Sequence, residues 1–150
     1  LTLAVDFDIV LQRLEVLGKI KAMDGTTRTD LVIKESYKLH KAGGYKQTVL
    51  FLLTDGEPTG FKTIQEGRDE VKNVIRGIAK ELADEAKAKG ETDNFGYAIS
   101  FVTAGVPSEE LKAFLTDIDD NLDAAIDIVD VKALEEIGTL EQAFAGALFD

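Results

Sequence analysis

The chain contains no cysteine. That excludes disulfides, thiolate metal centres and cysteine nucleophiles, and it leaves the redox compartment open. Histidine is almost as scarce. The single imidazole, His40, argues against a His-based zinc site or a Ser-His-Asp triad. It lies in the polar stretch Tyr37-Lys-Leu-His-Lys41 near an expected helix end, where basic groups are favoured, and it reads as an ordinary surface residue. Positive charge is also short: 17 Lys and Arg stand against 28 Asp and Glu, a formal net charge of -11. Nucleic acid and anionic membrane surfaces both need a basic face, so neither is an expected partner. A cation or a basic protein patch suits the chain better. No apolar run reaches the ~18 residues of a membrane span, so direct membrane insertion is not expected. No secretory leader is visible, and the chain opens directly on Leu1-Thr-Leu-Ala-Val5. There is no Gly-x-Ser-x-Gly elbow and no base beside a nucleophile, so a hydrolase is the least favoured reading and no enzyme is expected.

The 150 residues, 45% hydrophobic and 30% charged, suffice for one globular domain spanning 1–150. No repeat, low-complexity segment or linker divides them. Strands are expected at Leu1–Phe7, Thr48–Leu53, Phe95–Val102 and Ala124–Val129. Helical spacing appears over Arg13–Met23 and from a Thr29 or Asp30 cap to Gly43, with an apolar face of Leu31, Val32, Ser36 and Leu39. It recurs over Glu66–Lys89, from Pro107 through Leu115, over Lys132–Ile137 and over Leu140–Phe149. Strands alternate with helices and the central strands are continuously apolar. The expected class is α/β, a doubly wound, mostly parallel central sheet with helices on both faces.

The segment from Gly25 to Pro58 carries the chemistry. The run Thr48–Leu53 reads as a fully buried strand that delivers Asp55 at its C-terminal end, and Gly56 and Pro58 then force a turn. In an open parallel sheet, ligands bind at that edge. The loop Gly25-Thr-Thr-Arg-Thr-Asp30 can bring hydroxyl oxygens to the same crevice. Hydroxyl plus carboxylate is what a hard divalent cation such as Mg²⁺ prefers. A helix cap alone explains one hydroxyl, and an Asp-Gly turn alone explains Asp55. Their co-occurrence around a buried strand favours a site.

Two phrases, Met23-Asp-Gly-Thr-Thr-Arg-Thr-Asp30 and Leu50-Phe-Leu-Leu-Thr-Asp-Gly-Glu-Pro58, resemble the von Willebrand factor A family, the adhesion module also called the I domain in integrins. Phe95–Phe101, Ser108–Ala113 and Asp127–Leu134 look like its next strand, helix and last strand. The resemblance implies a metal-ion-dependent adhesion site holding Mg²⁺, with Mn²⁺ or Ca²⁺ as substitutes. It makes Thr27 the threonine ligand and Asp55 the aspartate, with Thr29 and Glu57 as neighbours facing the partner. That partner is a protein offering an acidic residue to the metal, and the setting implied is secreted or cell-surface. The family's Asp-x-Ser-x-Ser loop is absent. Asp6-Phe7-Asp8 is the nearest candidate, keeping two oxygens and lacking both serines. Either Leu1–Phe7 is the family's second strand, with the first strand and helix missing, or it is the first strand with a degenerate loop. The first reading is favoured, because the helix Arg13–Met23 runs directly into the Gly-Thr loop.

Two alternatives share the α/β expectation. One is a metal-independent scaffold domain. The other is a receiver-like phospho-acceptor using Asp6, Asp8, Asp55, Thr103 and Lys132, which leaves the Gly-Thr loop unexplained. Asp117–Asp123 resembles an EF-hand loop, but Leu122 and Ile128 stand where glycine and glutamate are needed, so it reads as a solvated acidic loop. Tyr45 and Phe61 flank the proposed edge.

Overall fold

A computed structural model describes residues 26–44, 47–54, 57–90, 96–103 and 105–133. In chain order the described elements are α1 (Thr29–Gly43), β1 (Thr48–Thr54), α2 (Ile64–Lys89), β2 (Tyr97–Thr103), α3 (Glu109–Asp119) and β3 (Val129–Ala133). The strands form one open parallel sheet in the order β1-β2-β3. Thr48 pairs with Tyr97 and Thr54 with Thr103, while Ile99 pairs with Val129 and Thr103 with Ala133. The three strands therefore end level, and Thr54, Thr103 and Ala133 stand abreast at the carboxyl edge. The architecture is α/β, compatible with a Rossmann-like arrangement. The expected elements Leu1–Phe7, Arg13–Met23 and Leu140–Phe149 lie outside the described residues. None of the described helices is long and apolar enough to cross a membrane.

The core follows from alternation along β2. Tyr97, Ile99 and Phe101 point to the face where Ile33 and Tyr37 of α1, Val71, Ile75 and Ile78 of α2, and Phe114 and Ile118 of α3 pack. The next residues, Ser100 and Val102, are buried as well, with Ser100 only 1% exposed. β2 is thus enclosed on both sides, as a continuously apolar parallel strand should be. β1 differs from expectation. It is half-buried at every residue but Leu53, which is 66% exposed. The buried strand is β2, enclosed at every residue but Ala98, because it lies between the other two described strands.

Two further expectations are corrected. The buried stripe of α1 is Asp30, Ile33, Tyr37 and His40, while Leu31, Val32 and Leu39 are exposed, Leu39 by 67%. The spacing 30-33-37-40 is as helical as 32-36-39, and it turns the larger Ile33 and Tyr37 inward, where more apolar area leaves water. The last described strand begins at Val129 and runs through Lys132, where a helix was expected. Ala124 and Ile126 instead pack on the core from a loop. The Asp127 carboxylate accepts from the Val129 amide at 3.1 Å, so pairing starts late.

Helix termini obey local chemistry. Thr63 caps α2 in a full capping box: its hydroxyl accepts from the Glu66 amide, and the Glu66 carboxylate accepts in return from the Thr63 amide. Ser108 caps α3 by accepting from the Leu111 amide at 3.1 Å.

Gly67 and Gly77 share α2 but predict opposite outcomes. Glycine in a helix interior costs about 1 kcal/mol relative to alanine. A Cβ on Gly77 meets nothing within 4 Å, so Gly77→Ala is expected to raise stability by about 0.5–1 kcal/mol. A Cβ on Gly67 would sit 2.8 Å from the Pro58 carbonyl oxygen and 2.9 Å from the Phe61 ring. Gly67→Ala must push the 57–61 loop away and is expected to lower stability by about 1–2 kcal/mol. Urea unfolding of both variants beside the parent checks the difference in sign.

Candidate functional site

β1 runs out at Thr54, level with Thr103 at the carboxyl edge. Asp55 and Gly56 lie outside the described residues, as do Asp6, Asp8 and Tyr45. The chain is described again from Glu57, and this loop meets the Gly-Thr segment that leads into α1. The Thr27 amide donates to Thr59 Oγ1 at 2.5 Å, and the Thr59 amide donates to the Thr27 carbonyl at 3.0 Å. Two segments distant in sequence are thereby tied together beside the end of β1. Both bonds use the Thr27 backbone, so its hydroxyl is not consumed by the pairing, and Thr27 is exposed.

Next to this junction stands a cluster that sequence reasoning missed. Arg28 Nε and Nη2 donate to the two carboxylate oxygens of Asp30, each at 2.8 Å. Asp30 is fully buried. The Arg28 guanidinium also lies over the Phe61 ring, 4.4 Å from its centroid. Gly60 makes the approach possible. Its φ is +85°, and a Cβ there would come within 2.9 Å of Arg28 Cδ. The hydrogen bonds from Arg28 hold the Asp30 carboxyl below the usual carboxylate range, against the opposing effect of burial. The same bonds raise the Arg28 pKa. An i,i+2 pair does not share one helix face, so helical spacing gives no hint of it. It forms because Arg28 stands just before α1 and folds back.

The arrangement corrects the expected cap. Arg28 occupies the cap position of α1 with no side-chain cap bond. Its carbonyl accepts from the amides of Leu31 and Val32 at 3.0 and 3.3 Å. Neither Thr29 nor Asp30 caps, because Asp30 sits in the first turn with its carboxylate engaged by Arg28. Thr29, half-buried, begins the helix.

Glu57 is committed to Arg68 of α2. Arg68 Nε donates to it at 3.0 Å, and Nη2 donates to its other oxygen. Arg68 in turn lies over the Phe114 ring at 5.6 Å. Glu57 thus braces the loop against α2, and its hydrogen bonds raise the Arg68 pKa. Phe61, expected to flank the edge, is the platform beneath Arg28.

The acidic stretch at and beyond the end of α3 is solvated at Asp120, Asp123 and Asp127, as expected, while Asp117 and Asp119, still within the helix, are half-buried. Asp117 pairs with Lys72. Asp119, Asp120 and Asp127 border a cavity of about 160 Å³ floored by Ile75, Ile118 and Ile126. Burial first, then the charges of Asp120, Asp130 and Asp127, push the Asp119 carboxyl up to about 6. This cavity lies where α3 ends and β3 begins, at the edge of the sheet opposite Thr27. No group of three or more His, Cys, Asp or Glu among the described residues is arranged to hold a metal ion.

Compared with protein-family models, curated proteins and solved structures, the chain matches none.

Proposed function

We propose that the chain is a non-catalytic protein-binding module of von Willebrand factor A type, doubly wound, that holds a divalent cation at the carboxyl edge of its sheet. The observation that carries this reading is the reciprocal Thr27–Thr59 pairing. It draws the Gly-Thr segment to the described loop from Glu57 to Phe61 that follows β1, and its two bonds use the Thr27 backbone and not the Thr27 hydroxyl. In this reading Thr27 and Asp55 bind Mg²⁺, with Mn²⁺ or Ca²⁺ able to replace it, and Asp6 and Asp8 supply the remaining protein oxygens. Magnesium tolerates retained waters in an octahedral shell. A neutral hydroxyl ligand leaves net positive charge on the ion, and an acidic side chain of a partner protein completes the shell. The adhesion role and a secreted or cell-surface setting are part of the same proposal.

Isothermal titration with Mg²⁺ and Mn²⁺ tests it. The parent chain is expected to bind, Asp55→Ala to abolish binding, and Thr27→Ala to weaken it by about tenfold or more, the loss expected when a metal site is disturbed. Absence of binding heat for both cations in the parent overturns the metal reading. The second reading, a metal-free scaffold using the same edge, draws on the pairing of Asp30 and Glu57 with arginines, which withdraws two carboxylates from the rim. Partner binding that survives EDTA selects it.

A further inference from the structure

His40 is the only histidine in the chain, and it is not the surface residue its polar neighbours suggest. It lies on the inner face of α1, 9% exposed. Its Nδ1 is 2.8 Å from the Thr48 hydroxyl at the first residue of β1. Its ring stacks on Tyr37, with centroids 6.1 Å apart and planes at 21°, and tilts against Tyr97, the first residue of β2, at 5.4 Å. The two tyrosine rings meet edge-on at 5.2 Å. One imidazole therefore joins the end of α1 to the beginnings of two strands, at the edge of the sheet opposite Thr27.

The charges around this cluster are few. On α1, Lys41 lies 5.8 Å from the Tyr37 ring. On α2, Glu81 and Glu85 both pair with Lys41, so the three groups together carry one negative charge. From β1 and β2 the facing groups are the neutral Thr48 and Tyr97. Burial pushes Tyr37 up to about 12 and raises Tyr97 too, so both phenols stay uncharged at ordinary pH. Among the described residues, no carboxylate bonds the ring to stabilise an imidazolium.

We infer that the Tyr37–His40–Tyr97 cluster is an acid-released latch. With a neutral imidazole it fastens the C-terminal end of α1 to the starts of β1 and β2. Protonation places a positive charge on a ring that is cut off from water, and that end of the helix lets go. The opposite end of α1 is held separately by the Arg28–Asp30 pair and the Thr27–Thr59 bonds, so the release is local.

The sign follows from linkage. Burial first, and Lys41 second, lower the His40 pKa from its ordinary 6.5, with Glu85 opposing. The folded cluster prefers the neutral ring. Its stabilisation is complete above pH 6.5 and is lost as pH falls from there through the lower folded value. Asp119 titrates near the same range with opposite sign, but at the far end of α3. Comparing the parent with a His40 variant removes its contribution.

A single histidine makes the experiment clean, because the imidazole proton signals in an NMR titration need no assignment. Their midpoint is expected below 6.5. Exchange of the α1 amides from Leu39 to Gly43, corrected for intrinsic rate, is expected to rise between pH 7 and 5 by about tenfold for each pH unit separating that midpoint from 6.5. Amides at the centre of α2 should show no such rise. His40→Gln is expected to flatten the pH dependence of the α1 amides, and His40→Phe serves if the glutamine chain does not fold. A midpoint at or above 6.5 overturns the latch. So does a rise in α1 exchange that is identical in parent and variant. The parent titration stands without any variant.

Discussion

Phe101→Ala is expected to remove about a third or more of the stability of this chain. Phe101 is 2% exposed at the centre of β2, where it pairs in register with Leu52 on one side and Val131 on the other. Truncating a buried phenylalanine costs about 3–5 kcal/mol, because the transfer free energy is lost and the cavity left behind collapses only in part. Domains of this kind hold about 5–15 kcal/mol in all. The loss falls on the strand through which β1 and β3 are joined, so it does not stay local. Urea unfolding followed by circular dichroism should show the midpoint falling by about a third or more, with an unchanged slope. A shift equivalent to less than about 1 kcal/mol would mean that the helices do not pack on this face of β2 as described.

Arg28→Ala is the second large effect, and its signature lies in its pH dependence. Asp30 is fully enclosed, whereas Arg28 is partly exposed, so the two members of the pair are not equivalent. Without Asp30 the arginine can turn to water. Without Arg28 the aspartate stays buried with little more than the Leu31 amide and the distant charge of Lys34 to support it. Breaking a buried pair from this side is strongly destabilising, because an uncompensated charge is left behind. In the parent chain the Asp30 pKa is depressed. Its contribution is therefore present above the ordinary carboxylate value of 3.8 and is lost as pH falls through the lower folded value. In Arg28→Ala that contribution is missing at neutral pH. The gap between parent and variant is expected to be widest near pH 7 and to close as pH falls below 3.8 through the lower folded value, where Asp30 of the parent takes up a proton and its pairing is lost. Thermal melts of both chains from pH 7 to 3 measure it, and a gap that does not vary with pH contradicts the pairing. Lys at position 28 keeps the charge but not the two-pronged donor, so Arg28→Lys should recover only part of the loss.

These two residues also mark where sequence reading works and where it stops. β1, α2, β2 and α3 were legible because their signals are local: apolar runs for the strands, helical spacing ended by Gly90 for α2, and Pro107 at the opening of α3, although Ser108 caps that helix and it runs on to Asp119. The inner face of α1 was not, since two stripes of the helix fit the same period and only the tertiary surroundings choose between them. The start of β3 was misread because Ala124–Ile128 is as apolar as a strand, yet it packs from a loop whose pairing is delayed by the Asp127 carboxylate. Polar residues were harder still. His40 was placed at the surface on the strength of its lysine neighbours, and nothing in the order of residues says that two distant tyrosine and threonine side chains will enclose it. Of the site, the meeting of the Gly-Thr loop with the loop after β1 was anticipated from a pair of phrases. The Arg28–Asp30–Phe61 cluster beside it was not, because its partners come from the two loops at once. Asp6, Asp8 and Asp55 lie outside the described residues, so their part rests on the cation titration.

The level, parallel register of the sheet has a kinetic consequence. Among the described strands there is no hairpin: residue 48 pairs with 97, and 99 with 129. Each pairing must close a long loop before it is rewarded, which slows the search for the native topology. The 26-residue helix between the first two strands, with its box at one end and its left-handed glycine stop at the other, is the piece best able to form early from local signals. Refolding should accordingly begin with fast helix recovery and continue with a slower phase in which strand docking limits the rate.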